Sequence, residues 1–254
     1  MSVEAYQSEQ DRSIEPTSLV EFRNGTIAQR LRHVYDFTST QIDHVSTLLD
    51  VGTYNGLGLP FLSKLCKKLY SIDIDTKKLQ EARINPVVQP LLENGTAFLH
   101  QMDARQLAFS NNMFDAATII EVFGAGFEGE ESDIHAVFSE LHRVIKSDGR
   151  LLFTIKSRQS RDIFRPFEWA FPKGYPLYRE TIASITKDLF TPINWYGQLI
   201  IRESSEGIVM PAHINGLSSG KTELVWNVDA FMPKEIIDEE IERPMYWIGV
   251  CDKL

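Results

Sequence analysis

Cysteine is scarce. The chain of 254 residues has two, Cys66 and Cys251, far apart and each in an apolar segment. That excludes a disulfide framework and leaves reduced, buried thiols as the expectation. The Cys–His spacing of a zinc site is absent, so no metal is expected. Long hydrophobic runs are also missing: no stretch approaches the ~20 apolar residues of a membrane span. Residues 1–18 are polar and acidic and lack the apolar core of a signal peptide. A cytoplasmic protein with no membrane partner is the expectation. Positive charge is in short supply, with 26 Lys and Arg against 35 Asp and Glu, a net charge of −9. A protein that tracks a phosphate backbone usually presents a basic face, so nucleic acid is not an expected partner. Lys64, Lys67 and Lys68 come nearest to a basic cluster and are expected on the solvated face of a helix.

What is present is an ordinary globular composition, 43% hydrophobic and 24% charged, long enough for one domain with an elaborated cover. Residues 1–25 read as a loose arm and 26–254 as a single domain. Ile27, Leu31, Val34 and Tyr35 recur at helical spacing and predict a helix over Thr26–Gln41. Thr47–Gly52 is a continuous apolar run, the mark of a strand buried on both faces. A helix is expected from about Leu57, carrying Phe61, Leu62 and Leu65, with Pro60 in its first turn. Strands are expected at Leu69–Asp75, Ala97–Gln101, Phe114–Ile120 and Leu151–Lys156, and helices at Thr76–Arg83 and around Ile134–Ile145. Asp148-Gly149 reads as a turn. Later elements are a helix over Tyr178–Phe190 and strands at Ile193–Ile201 and Pro244–Asp252. Strands alternating with helices mean βαβ units and a mostly parallel sheet. Two stretches break the pattern. Residues 157–178 are rich in aromatics and arginine, with Arg161, Phe164, Arg165, Trp169, Tyr175 and Tyr178, and residues 203–243 carry turns; both read as substrate-cover insertions.

Asp50, Asp73, Asp103 and Glu121 fall where successive strands end, and right-handed crossovers bring those ends to one edge. Between the first strand and its helix lies Gly52-Thr53-Tyr54-Asn55-Gly56, a turn in which glycine lets backbone approach a ligand. Asp73 follows Gly52 by about twenty residues, the spacing at which an acid reaches ribose hydroxyls. Asp103 can accept from the exocyclic amine of adenine, with Met102 and Ala104 offering apolar contact to the ring.

These residues carry a resemblance. Leu48-Leu49-Asp50-Val51-Gly52-Thr53-Tyr54-Asn55-Gly56, Ser71-Ile72-Asp73-Ile74-Asp75, Met102-Asp103-Ala104, Phe114-Asp115-Ala116-Ala117 and Glu140–Leu152 are similar, in order and interval, to the motifs of class I S-adenosylmethionine-dependent methyltransferases of the small-molecule type. The resemblance covers roughly Leu48–Lys156. It implies a Rossmann-like, doubly wound α/β fold with a seven-stranded, mostly parallel sheet whose last strand is antiparallel. It implies S-adenosylmethionine as cofactor and S-adenosylhomocysteine as product. The cofactor would lie along Asp50, Gly52, Thr53, Tyr54, Asn55 and Gly56, then Asp73 and Ile74, then Met102, Asp103 and Ala104, with Glu121 and Val122 beside it.

Two positions depart from the family pattern. Tyr54 stands where many members have glycine. Gly124-Ala125 stands where many small-molecule members carry a Glu-His pair whose His acts as base. Methyl transfer depends largely on in-line positioning, but a hydroxyl acceptor needs its proton removed within hydrogen-bond reach. His135, Tyr175, Tyr178 and His213 are the candidates, and Tyr35 is a candidate contact for the methionine end. The expected acceptor is an O or N atom of a small molecule, by resemblance a sugar or glycan precursor or a secondary metabolite, and the expected assembly is a monomer or homodimer. Competing readings are a non-catalytic cofactor-binding protein with a degenerate site and an NAD-dependent oxidoreductase. The latter is disfavoured because Phe61 occupies the place of the third glycine in G-x-G-x-x-G and Asp50 would repel pyrophosphate.

Overall fold

The computed structural model of the chain describes residues 26–123, 129–156, 178–198, 201–203, 209–211, 233–235 and 246–254. The arm of residues 1–25 and most of the two expected cover insertions lie outside them.

The chain opens with α1 (Thr26–Gln41), then β1 (Val45–Val51), α2 (Leu59–Leu62), β2 (Cys66–Asp73), α3 (Thr76–Ile84), α4 (Gln89–Glu93) and β3 (Ala97–Gln101). It continues through β4 (Phe114–Ile119), α5 (Glu131–Val144), β5 (Ile145–Lys156), α6 (Arg179–Thr186) and β6 (Asn194–Gln198). Three short strands follow, β7 (Ile201–Glu203), β8 (Val209–Pro211) and β9 (Pro233–Glu235), before the closing strand β10 (Tyr246–Asp252). The main sheet runs β3-β2-β1-β4-β5-β10-β6-β9, and β7 pairs with β8 apart from it. β10 is antiparallel to both β5 and β6, whereas β1 is parallel to β2 and β4. Counting β10 as the seventh, the seven long strands have the order 3-2-1-4-5-7-6; the last is antiparallel, as the resemblance implies. The short β9 adds an eighth strand at the edge.

Alternate residues of the strands feed two cores. On one face Leu49, Phe114, Leu151 and Phe153 pack with Ile134, Val137, Phe138 and Leu141 of α5 and Ile182 of α6. On the other, Leu48, Leu69 and Leu152 pack with Val34 of α1, Leu59 and Leu62 of α2 and Val88. Helices therefore cover both faces, which is why the centres of β1, β4 and β5, at Leu48-Leu49, Ala116-Ala117 and Leu151–Phe153, are apolar and buried on both faces.

Several boundaries move for identifiable reasons. The helix expected from Leu57 is a single turn, because β2 begins at Cys66, paired with Val45. Lys67 and Lys68 consequently project from the start of β2, not from a helix, although both are exposed. The turn at Asp148-Gly149 is an irregularity inside β5: the pairing with β4 jumps from Phe114↔Ile145 to Ala116↔Arg150, and Asp148 takes φ +61°. The expected helix over Tyr178–Phe190 is shorter and ends at Thr186. Asp75 caps α3, its carboxylate accepting from the N–H groups of Lys77 and Lys78.

Candidate functional site

The sheet reverses its winding between β1 and β4, and in open α/β sheets ligands lie outside the carboxyl ends of the strands at such a point. Glycines shape the turn after β1. Gly52 has φ +91° and Gly56 φ +86°, a region that favours glycine. A Cβ on Gly52 would collide with Cγ2 of Val122, and one on Gly56 would come within 2.8 Å of Cγ2 of Val88. The N–H groups of Gly52 and Thr53 both donate to the carbonyl of Ile72, at 2.8 and 3.0 Å, which ties the turn to β2.

Tyr54 also adopts the left-handed region, φ +49°. Its ring turns outward, 38% exposed, with Nζ of Lys78 4.4 Å from the ring centroid. Its backbone N–H donates to Oδ2 of Asp73 at 2.7 Å, and the N–H of Asp75 donates to Oδ1 at 2.9 Å. Asp73 so stands at the tip of β2 directly beside the glycine turn. Ile74, next in the chain, is exposed.

Asp50 is placed differently. It is buried within β1, in register with Ser71 on β2 and Thr118 on β4. Ser71 Oγ donates to Oδ2 at 2.6 Å and Thr118 Oγ1 to Oδ1 at 3.1 Å. Thr53 Oγ1 lies 2.6 Å from Ser71 Oγ and extends the chain of hydroxyls to the turn. Burial pushes the Asp50 carboxyl up to about 6, against the pull of the two hydroxyls and with the help of the Asp73 charge. Asn55 is buried behind the turn, its carbonyl accepting from Nδ2 of Asn85 at 3.2 Å.

At the tip of β3, the N–H of Met102 donates to the carbonyl of Asp73 at 3.0 Å, joining the two strand ends. Met102 and Ala104 are partly buried against the core. Asp103 is gripped by Arg105. Oδ1 accepts from the backbone N–H at 2.9 Å and Nε at 3.0 Å, and Oδ2 accepts from Nη2 at 2.7 Å. Arg105 holds the Asp103 carboxyl below the usual carboxylate range. Past β4, Glu121 takes φ +60° with its N–H on Thr154 Oγ1 at 2.9 Å, and Val122 rests over Gly52.

The candidate bases fare unevenly. His135 sits on the exposed face of α5, opposite the stripe of Ile134, Val137, Phe138 and Leu141, with Nδ1 3.3 Å from Ser139 Oγ. Helical periodicity turns its side chain to solvent. Tyr178 is the half-buried N-cap residue of α6. Tyr175, His213 and Gly124-Ala125 lie outside the described residues. Tyr35 stacks on Phe61 at 5.4 Å, and its hydroxyl fills the space where Gly58 would carry a Cβ. Arg105 and the hydroxyl pair Ser71 and Thr118 are the participants that sequence reasoning missed. The one available signal was a hydroxyl residue flanked by apolar ones in each strand, Tyr70-Ser71-Ile72 and Ala117-Thr118-Ile119. Among the described residues no cluster of His, Cys, Asp and Glu could hold a metal ion, and no helix is long and apolar enough to cross a membrane.

The donor set fits a nucleoside-bearing cofactor: bare backbone where Gly52 admits no side chain, and carboxylates at two neighbouring strand tips. Residues 49–153 match the family model described as a methyltransferase domain. No curated protein matches the sequence. Among solved structures the chain is similar to a possible histamine N-methyltransferase from Thermotoga maritima, at 14% identity over 93% of this chain and 96% of that one, with a TM-score of 0.59. It is similar to magnesium protoporphyrin IX methyltransferase from Synechocystis with bound S-adenosylhomocysteine, at 15% identity over 98% and 94%, TM-score 0.58. A third is the N-methyltransferase NodS from Bradyrhizobium japonicum in complex with S-adenosylhomocysteine, at 15% identity over 98% and 97%, TM-score 0.56. At such identities these likenesses speak for the fold, and the family match speaks for the domain that the fold carries. The glycine turn, the ordered strand tips and the sheet order 3-2-1-4-5-7-6 all agree with that match, and residues 49–153 form a methyltransferase domain.

Proposed function

We propose that this methyltransferase moves a methyl group to an O or N atom of a small molecule, with a glycan precursor or secondary metabolite as the acceptor class. The observation that carries the cofactor half is the Tyr54–Asp73 hydrogen bond, which sets a carboxylate beside the glycine turn. In this reading Asp73, with Ile74 beside it, takes the ribose hydroxyls. Met102, Asp103 and Ala104 take the adenine, and the backbone from Gly52 to Gly56 lies along the methionine end with Glu121 and Val122. Asp50 acts from beneath by fixing Ser71 and Thr53 under the turn. When bound, the cofactor supplies a sulfonium methyl as electrophile.

The acceptor half is supported by the net charge of −9, which disfavours a polyanion, and by two similar structures, a magnesium protoporphyrin IX methyltransferase and a possible histamine N-methyltransferase. His135 faces solvent, and Tyr178, the N-cap residue of α6, is the other described candidate for proton removal. An amine acceptor attacks as its free base and needs no such group. A monomer or homodimer is the proposed assembly.

Calorimetric titration with S-adenosylmethionine and S-adenosylhomocysteine tests the cofactor half. Micromolar binding, about −8 kcal/mol, is expected for the wild type and clear weakening for Asp73→Ala. Transfer of labelled methyl to a panel of small amines, sugars and phenols tests the acceptor half. Turnover on RNA or protein with none on the panel would overturn it.

A further inference from the structure

We propose that Arg105 is a positioning residue for the nucleobase: it fixes the Asp103 carboxylate so that Oδ2 accepts from the 6-amino group of adenine, and through Asp133 it ties that contact to the start of α5. The proposal deepens the cofactor reading above and rests on it.

An aspartate at an exposed strand tip would ordinarily rotate. Asp103 does not have that freedom, because a planar guanidinium meets it edge to edge. A carboxylate accepts about four hydrogen bonds, two on each oxygen. Oδ1 already takes two, from the backbone N–H of Arg105 and from Nε, at 2.9 and 3.0 Å. Oδ2 takes a strong one from Nη2 at 2.7 Å and only a shared, longer one from Nε at 3.1 Å. Oδ2 is thus the oxygen that keeps an acceptor direction for an incoming N–H.

The same guanidinium reaches a second element. Nη1 donates to Oδ1 of Asp133 at 2.9 Å. Oδ2 of Asp133 in turn accepts from the N–H of Glu130 at 3.0 Å, closing the first turn of α5. One side chain therefore spans the adenine-side strand tip and the helix that follows β4. A lysine cannot do this, since it carries a point charge without the planar fork.

The selectivity follows from donor and acceptor roles. Adenine presents an N–H donor at its 6-position and hypoxanthine presents an oxo acceptor, which would face the carboxylate lone pair. A fixed, charged acceptor should favour the amine by roughly tenfold or more.

The experiment is a calorimetric titration of the full chain with S-adenosylhomocysteine and with S-inosylhomocysteine, for the wild type, Arg105→Leu and Arg105→Lys. The expected result is a wild-type preference of about tenfold or more for the adenosyl ligand, falling to within about threefold in both variants while S-inosylhomocysteine binding changes little. Retention of the preference in either folded variant overturns the proposal. So does an equal weakening of both ligands, which marks a merely structural residue. Thermal melts of the free variants show which of them folds. A wild type that binds S-adenosylhomocysteine without discriminating removes the proposal and leaves the cofactor reading intact. A wild type that binds neither ligand removes both.

Discussion

The backbone N–H of Tyr54 donates to Oδ2 of Asp73 at 2.7 Å, so the acid at the tip of β2 braces the turn that follows β1. Both N–H groups that Asp73 holds, those of Tyr54 and Asp75, lie at the exposed edge of the sheet. Water can replace the carboxylate for them, and it cannot do so for ribose hydroxyls covered by a bound nucleoside. Asp73→Ala is therefore expected to lower the stability of the free protein by about 1 kcal/mol or less, and to weaken S-adenosylhomocysteine binding by about 1.5–3 kcal/mol. Urea unfolding and calorimetry on the same variant measure the two losses. Equal losses would leave Asp73 with the bracing role alone.

Gly52 and Val122 make a second coupled pair. Alanine at position 52 would keep a left-handed φ and drive its Cβ into Cγ2 of Val122. Strain and collision together are expected to destabilise Gly52→Ala by about 2–4 kcal/mol. Val122→Ala removes the colliding methyl and leaves the strain, so adding it should recover about 1–2 kcal/mol of that loss. A four-cornered cycle of urea midpoints reads the coupling; simple additivity would show that Val122 is not the obstacle.

What the sequence disclosed and what it hid follow from the range of the interactions. α1 and β3 could be read at their true limits, because period and apolar runs are local. The relation of Gly52 to Asp73 was also legible, since strand, turn and helix fix that spacing within one βαβ unit. The start of β2 was not, because Lys67 and Lys68 look like helix surface until Thr47↔Lys68 pairing places them in the sheet. The triplet Ser71, Asp50 and Thr118 depends on cross-strand register between residues 21 and 68 positions apart. The grip of Arg105 on Asp133 spans 28 positions, and no local pattern announces it. His135 was a candidate base by residue type alone; the helical phase of α5 turns it to solvent.

Arg143 holds the connection between β3 and β4. Its Nη1 donates to the carbonyl of Phe109 at 2.7 Å and to Oδ1 of Asn111 at 2.9 Å, and its Nη2 donates to the carbonyl of Leu107 at 2.7 Å. Glu140, paired with Arg143, accepts from the N–H of Leu107 at 2.6 Å. The segment has no helix of its own to satisfy these backbone groups, and it leads directly away from Asp103. Arg143→Ala is expected to destabilise by about 1–3 kcal/mol and to speed amide hydrogen exchange at Leu107 ahead of global unfolding. Unchanged exchange there would show that Glu140 holds the segment unaided.

Asp50 gives the protein a pH dependence of unusual sign. Most native carboxylates are ionised more easily than in the unfolded chain, and they stabilise the fold as pH rises. Burial does the reverse to Asp50, lifting it from 3.8 to about 6. The native state then binds more protons than the unfolded state between those values, so this group's contribution falls as pH rises through the window. It is neutral below the lower value and reaches a penalty of about 3 kcal/mol above the upper one. Asp50→Asn keeps an acceptor for one hydroxyl and offers its N–H to the other, which can accept. The variant is expected to match or exceed the wild type in urea midpoint at pH 8 and to lose that advantage by pH 4. A midpoint difference that stays flat from pH 4 to pH 8 would mean that Asp50 is ionised at ordinary acidity within its hydroxyl cage.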